Sequence, residues 1–173
     1  GDVRFQEDAP AARELFAKAG KNCKVGSTGA YTEAKLRKDD LQDLVSGGGI
    51  EAPGMVEKAA KWGTICDRAP LIQRLEYAIQ QNLQPMTANK SEFAAQGDVI
   101  LHEAEMVAVM AEVLCKAGME DADDDSYTAF SQQMKKSARD VVDAVKLNND
   151  EAARKAVGEI NKACSECHEN YRG

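Results

Sequence analysis

Five residues near the end of the chain, Cys164-Ser165-Glu166-Cys167-His168, hold the chemistry that is easiest to read. A thiol can add its S–H across a carbon–carbon double bond, and an imidazole can ligate a metal. Two thiols bonded to the two vinyl groups of a haem, followed at once by an iron-ligating histidine, is c-type haem attachment, and C-x-x-C-H is its signature. On a helix, Cys164 and His168 stand one turn apart on one face with Cys167 beside them. A flat tetrapyrrole can then be held against a single turn while the imidazole reaches its iron.

Other readings of these residues each lack a part. A thioredoxin-like C-x-x-C follows a strand and opens a helix in an α/β pattern, which the chain does not have. A zinc site wants a second Cys/His pair, and the only other histidine, His102, has no neighbouring cysteine. A disulfide between Cys164 and Cys167 within a helix misses the required geometry. We therefore expect one haem c and its iron per chain, bonded to Cys164 and Cys167, with His168 as an axial ligand. Cys23 has no Cys-His partner, which excludes a second haem.

These residues must be positioned by helices. Ala153, Ala156, Ile160, Cys164, Cys167 and Tyr171 form a stripe at helical spacing, opened by Asn148 and Glu151 as a capping box. Tyr127, Phe130, Met134, Ala138, Val141 and Val145 make a similar stripe, with Asp124 or Asp125 as N-cap. Asn148-Asn149-Asp150 is the turn between the two. Glu92 to Ala117 is expected as a long helix apolar on more than one face, stopped at Gly118. Met55 to Leu83 is expected as another, with Trp62, Ile65, Ile72, Leu75 and Ile79 inward. In it Pro70 marks a kink or a second start capped by Asp67, and Gln84-Pro85 marks the end. The fold class is thus all-α: an antiparallel up-down-up-down four-helix bundle over 51–173. Residues 1–50 form an N-terminal extension with short helices near Pro10–Gly20 and Thr32–Val45, and glycine-rich loops at 26–29 and 47–49.

Composition agrees. The 173 residues include only four prolines and 5% aromatics, and the net charge of −7 argues against nucleic acid and anionic membranes as partners. No apolar run has the length of a membrane span. No leader-like segment is present and covalent haem attachment takes place outside the cytoplasm, so we expect a mature, exported protein, periplasmic or equivalent. A redox partner protein is expected, and a homodimer is left open. Of the remaining thiols, Cys66 and Cys115 are the preferred disulfide, leaving Cys23 free. The acidic run Glu120 to Asp125 lacks the glycine and glutamate of a calcium loop, having Ser126 and Gln132 there, and is a solvated loop and cap.

Over its last ~75 residues, a helix, a short Asn/Asp turn and a closing helix, the chain resembles the C-terminal half of the cytochrome c′ family, whose ending C-x-x-C-H-x-x-Y-R is here Cys164, Cys167, His168, Tyr171 and Arg172. The resemblance implies a four-helix bundle with haem near one end, His168 on its proximal side, and Tyr171 and Arg172 near the haem. It implies a distal residue from the first bundle helix, either a bulky apolar side chain or Met. No Met lies between Val56 and Pro85, so Met ligation from that helix is not supported, and residues 1–50 have no parallel in the family.

The sixth iron position decides function. His102 and Met106 are i and i+4, sharing a face with Val99, Val109 and Val113, and either could ligate, His102 ahead of Met106. If neither does, Leu71, Ile72 or Leu75 would cap an open iron. A six-coordinate iron suits an electron carrier, which is our leading expectation. A five-coordinate one suits binding of nitric oxide or carbon monoxide, the alternative. Peroxidase chemistry would need His102 as its acid–base group, and we expect no enzyme. Mass spectrometry after acid denaturation should find the chain plus one haem. Haem extracted by acidified organic solvent would disprove covalent attachment.

Overall fold

The computed structural model describes residues 9–48 and 62–171, and divides the chain into two compact units, 1–60 and 61–173. The boundary expected at residue 50 lies outside the described residues, as does Arg172. Every element among the described residues is helical.

In the first unit α1 (Ala9–Cys23) and α2 (Thr28–Val45) pack against each other. Both are longer than the sequence suggests. Gly26 takes a positive φ of 70° in the turn, but Thr28 and Gly29 of the glycine-rich loop are already helical, because the extended Ser27 caps the helix, its side chain accepting from the Ala30 N–H at 3.2 Å, and starts α2 early.

The second unit opens with a single turn, α3 (Trp62–Ile65), and then α4 (Arg68–Tyr77). Pro70 is a second start rather than a kink. Asp67 takes the extended N-cap conformation, and Pro70 sits in the first turn, where a missing N–H costs nothing. Trp62 is exposed instead of inward, since it belongs to the separate turn before this start. That turn runs close by the next connection: a Cβ on Gly63 would collide with the Gly118 carbonyl oxygen.

Pro85 does not end the helix. The chain runs from α4 through a π-helical segment (Ala78–Leu83) into α5 (Gln84–Thr87), with the Gln84 N–H reaching the Ile79 carbonyl. The wider turn accommodates a ring that has no N–H to give back to the helix. The expected 92–117 helix is two pieces, α6 (Lys90–Ala95), capped by Asn89, and α7 (Gly97–Leu114). The break falls at Gln96, whose backbone leaves the helical region beside Gly97. α7 stops at Leu114, and Gly118, with φ of 92°, serves the following turn instead.

Asp124 caps α8 (Asp125–Lys146), accepting from the Ser126 and Tyr127 N–H groups at 2.8 and 3.0 Å. The cap of α9 (Asp150–Tyr171) is Asn149, which accepts from the Ala152 N–H at 3.0 Å, and not Asn148. Asn148 has φ of 51° and reverses the chain after α8, so its side chain faces away from the new helix start.

α7, α8 and α9 pack in sequence, and the π-helical segment packs on α7. Leu83, Ile100, Val107, Val141 and Ile160 fill the core between them. At its turn end the first bundle helix is fastened to α9: Arg154 Nε donates to the Thr87 carbonyl at 3.1 Å, and Gln84 Nε2 donates to Asn161 Oδ1 at 2.8 Å. Arg74 and buried Glu103 join α4 to α7 through two contacts of 2.8 and 3.0 Å. The expected Cys66–Cys115 disulfide is not formed. Cys66 lies in the connection between α3 and α4, off the helix that would have set its level, and all five cysteines are free thiols.

Glu112 of α7 pairs with Lys116, just past the end of its own helix, and with Lys135 on α8. Hydrogen bonds from these two ammonium groups hold its carboxyl down from 4.5 to about 2. A depressed folded-state pKa gives stability that is present above 4.5 and lost as pH falls through about 2. Chemical denaturation should therefore show Glu112→Gln flattening the stability profile across that window. At pH 7 the half-exposed pair should cost less than about 1 kcal/mol on removal.

Candidate haem site

The open end of the bundle holds a cavity of about 520 Å³. It exists because α4 makes little contact with α9, although α5, further along the same helix, is fastened to it. One wall is α9, with Cys164, Cys167, His168 and Tyr171. The facing wall is α4 and the π-helical segment, with Ile72, Gln73, Glu76, Ile79 and Gln80. Tyr127, Phe130, Ser131 and Met134 of α8 and Leu114 of α7 close the back. Ile79 and Leu114 are buried, whereas Gln73, Glu76 and Gln80 are exposed at the mouth. The helix places them so because Ile72, Leu75 and Ile79 recur at three- and four-residue spacing on one face.

Cys164 and Cys167 are half-buried and unbridged. Burial, with a smaller push from Cys167, raises the Cys164 thiol to about 11, and burial likewise raises Cys167. Both thiols are thus harder to ionise than an exposed cysteine. His168 is exposed at the rim.

The end of α9 is anchored by Tyr171. Its hydroxyl donates to Asp124 Oδ1 at 2.6 Å, and its ring meets Tyr127 edge-on at 5.3 Å and Phe130 at 6.5 Å. The hydrogen bond lowers the Asp124 pKa and raises that of Tyr171. The N-cap of α8 thus also holds the last turn of the haem-motif helix. On the other side of the cavity Arg68 pairs with Glu120 at 2.8 Å and with Asp121, fastening α4 to the loop before α8.

His102 and Met106 are not part of this arrangement. Neither lines the cavity. His102 is exposed, and its stripe mates Val99 and Val109 are 38% and 58% exposed, while Met106 and Val113 are partly buried against the core away from the cavity. α7 is apolar on two faces, and the one that packs inward carries Ile100, Ala104, Val107, Ala111 and Leu114. Sequence reading passed over Gln73, Glu76, Gln80, Arg68 and Met134 as lining residues. The spacing of Gln73, Glu76 and Gln80, beside the apolar stripe of the same helix, is the signal that was available.

Residues 77–172 match the family model described as Cytochrome C', more than half of the chain's 173 residues. The chain belongs to the cytochrome c′ family. No curated protein and no solved structure matches it. Membership makes it a c-type haem cytochrome with iron, and the cavity fits that group. It places two free thiols and a histidine along one wall of a space with apolar sides. It also leaves a buried donor waiting for an acceptor, because the Tyr127 hydroxyl proton has none among the described residues and its neighbour Arg68 can only donate. No helix among the described residues is long and apolar enough to cross a membrane.

Tyr171→Phe should raise the Asp124 pKa back toward the ordinary carboxylate range, since the hydrogen bond favours the ionised form. Carboxyl-carbon NMR titration measures this directly. An unchanged Asp124 titration would show that the two side chains do not interact.

Proposed function

We propose that this cytochrome carries one haem whose iron takes His168 on one side and no protein ligand on the other, and that it binds small neutral gases there. The supporting observation is the wall facing α9. It presents Ile72 and Ile79, and neither His102 nor Met106 is on it. Cys164 and Cys167 hold the group through thioether bonds, each formed by adding S–H across a vinyl double bond with no oxidant required. His168 donates an imidazole nitrogen to the iron. When bound, the haem supplies an iron that cycles between ferric and ferrous and accepts a ligand on its open side. Ile72 and Ile79 offer that ligand no hydrogen bond, which favours uncharged diatomics such as nitric oxide and carbon monoxide over anions.

Electron transfer is the second reading, favoured by the exposure of His168 and the half-burial of Cys167. These residues bring the edge of the site to the surface, where a redox partner protein could dock. An exported, periplasmic location follows from thioether attachment and serves both readings.

The ferric protein should show a high-spin spectrum, and the ferrous protein should bind carbon monoxide rapidly. Low-spin spectra in both oxidation states without a carbon monoxide adduct would overturn gas binding in favour of the carrier. Met134 is the thioether among the described lining residues, so Met134→Leu is the control. It should leave the spectrum unchanged. A high-spin signal that emerges only in that variant would identify Met134 as a sixth ligand.

A further inference from the structure

We propose that the Tyr127 hydroxyl donates a hydrogen bond to a carboxylate of the bound tetrapyrrole, an inference that rests on the reading that haem fills the cavity. Tyr127 is 2% exposed and lines the cavity; Arg68 approaches its hydroxyl but carries only N–H donors, so the hydroxyl proton has no acceptor among the described residues. A buried donor left without an acceptor is costly, and native structures seldom tolerate one.

The ring is held in place and does not swing to find water. The Tyr171 ring meets it edge-on with centroids 5.3 Å apart, and the Arg68 guanidinium lies 5.7 Å from the ring centroid. What fills the cavity must therefore supply the acceptor. Haem brings two carboxylates on its propionate arms, and these are its anionic acceptors. Arg68 already pairs with Glu120 and Asp121, so the acceptor is selected by the place of the hydroxyl on the cavity wall and not by a surplus of positive charge. Tyr127 accordingly acts as a positioning residue that fixes how the haem lies in the bundle, and takes no part in ligating the iron.

The test is infrared spectroscopy of the holoprotein carrying haem labelled with carbon-13 at its carboxylates. In Tyr127→Phe one labelled antisymmetric stretch should move to higher frequency, because the carboxylate has lost a donor. Fluorotyrosine incorporation, which makes the phenol a stronger donor, should move the same band to lower frequency and requires no loss of the ring. Mass spectrometry on the same samples reads covalent attachment separately. Attachment retained with labelled bands unmoved in both samples overturns this inference alone. Failure of attachment in the unsubstituted protein overturns the haem reading and this inference together.

Discussion

The structure depends on one constraint: a helical bundle must line a cavity of about 520 Å³ at one end without losing its packing at the other. A void in a close-packed interior forfeits dispersion contacts on every side, so such a space is stable only where rigid elements hold it open. Here the rigid part is the succession α7, α8 and α9, whose inner faces interlock through Ile100, Val107, Val141 and Ile160. The first bundle helix forms the remaining wall. It is fastened at its turn end by Arg154 and Gln84 and stands off from α9 at the end that carries Arg68.

Polar contacts at the open end do what apolar packing does elsewhere. Arg68 grips Glu120 and Asp121, Asp124 caps α8 and receives the Tyr171 hydroxyl, and the rings of Tyr127, Phe130 and Tyr171 meet edge-on. Each contact joins a different pair of elements around the cavity rim. Individually, such partly exposed interactions contribute little. Their value is geometric, since the C-x-x-C-H turn must hold its orientation before any group is attached to it. The π-helical segment belongs to the same logic. It absorbs Pro85 without a break and so lets a single helix line the cavity with Ile79 while its end stays tied to α9.

An apolar wall opposite the histidine suits a neutral ligand, and polar side chains at the mouth keep that wall from becoming a sticky exposed patch. Gln73, Glu76 and Gln80 stand at the rim of the same helix face, and Gln80 Nε2 donates to Glu76 Oε1 at 3.3 Å. Solvent therefore meets amides and a carboxylate, while the interior meets isoleucine.

The sequence by itself determined what depends on local spacing. Cys164, Cys167 and His168 announce the haem because their chemistry needs only one turn of helix. The stripes of α8 and α9 are unambiguous because each is apolar on one side alone, whereas the choice between Asp124 and Asp125 as the cap of α8 was left to the structure. Tertiary structure decided everything that required a choice between equivalent faces or a partner far along the chain. α7 is apolar on two sides, so spacing could not tell whether His102 and Met106 or Ile100 and Val107 face inward. Burial against α8 and the π-helical segment made that choice. Whether Asn148 or Asn149 caps α9 turned on which of them took the left-handed conformation that reverses the chain. Tyr127 shows the limit most directly. Its place on the stripe was legible, but the hydroxyl's lack of an acceptor arises from Arg68 and Tyr171, which approach from two other elements and hold the ring against the cavity, Arg68 offering only donors.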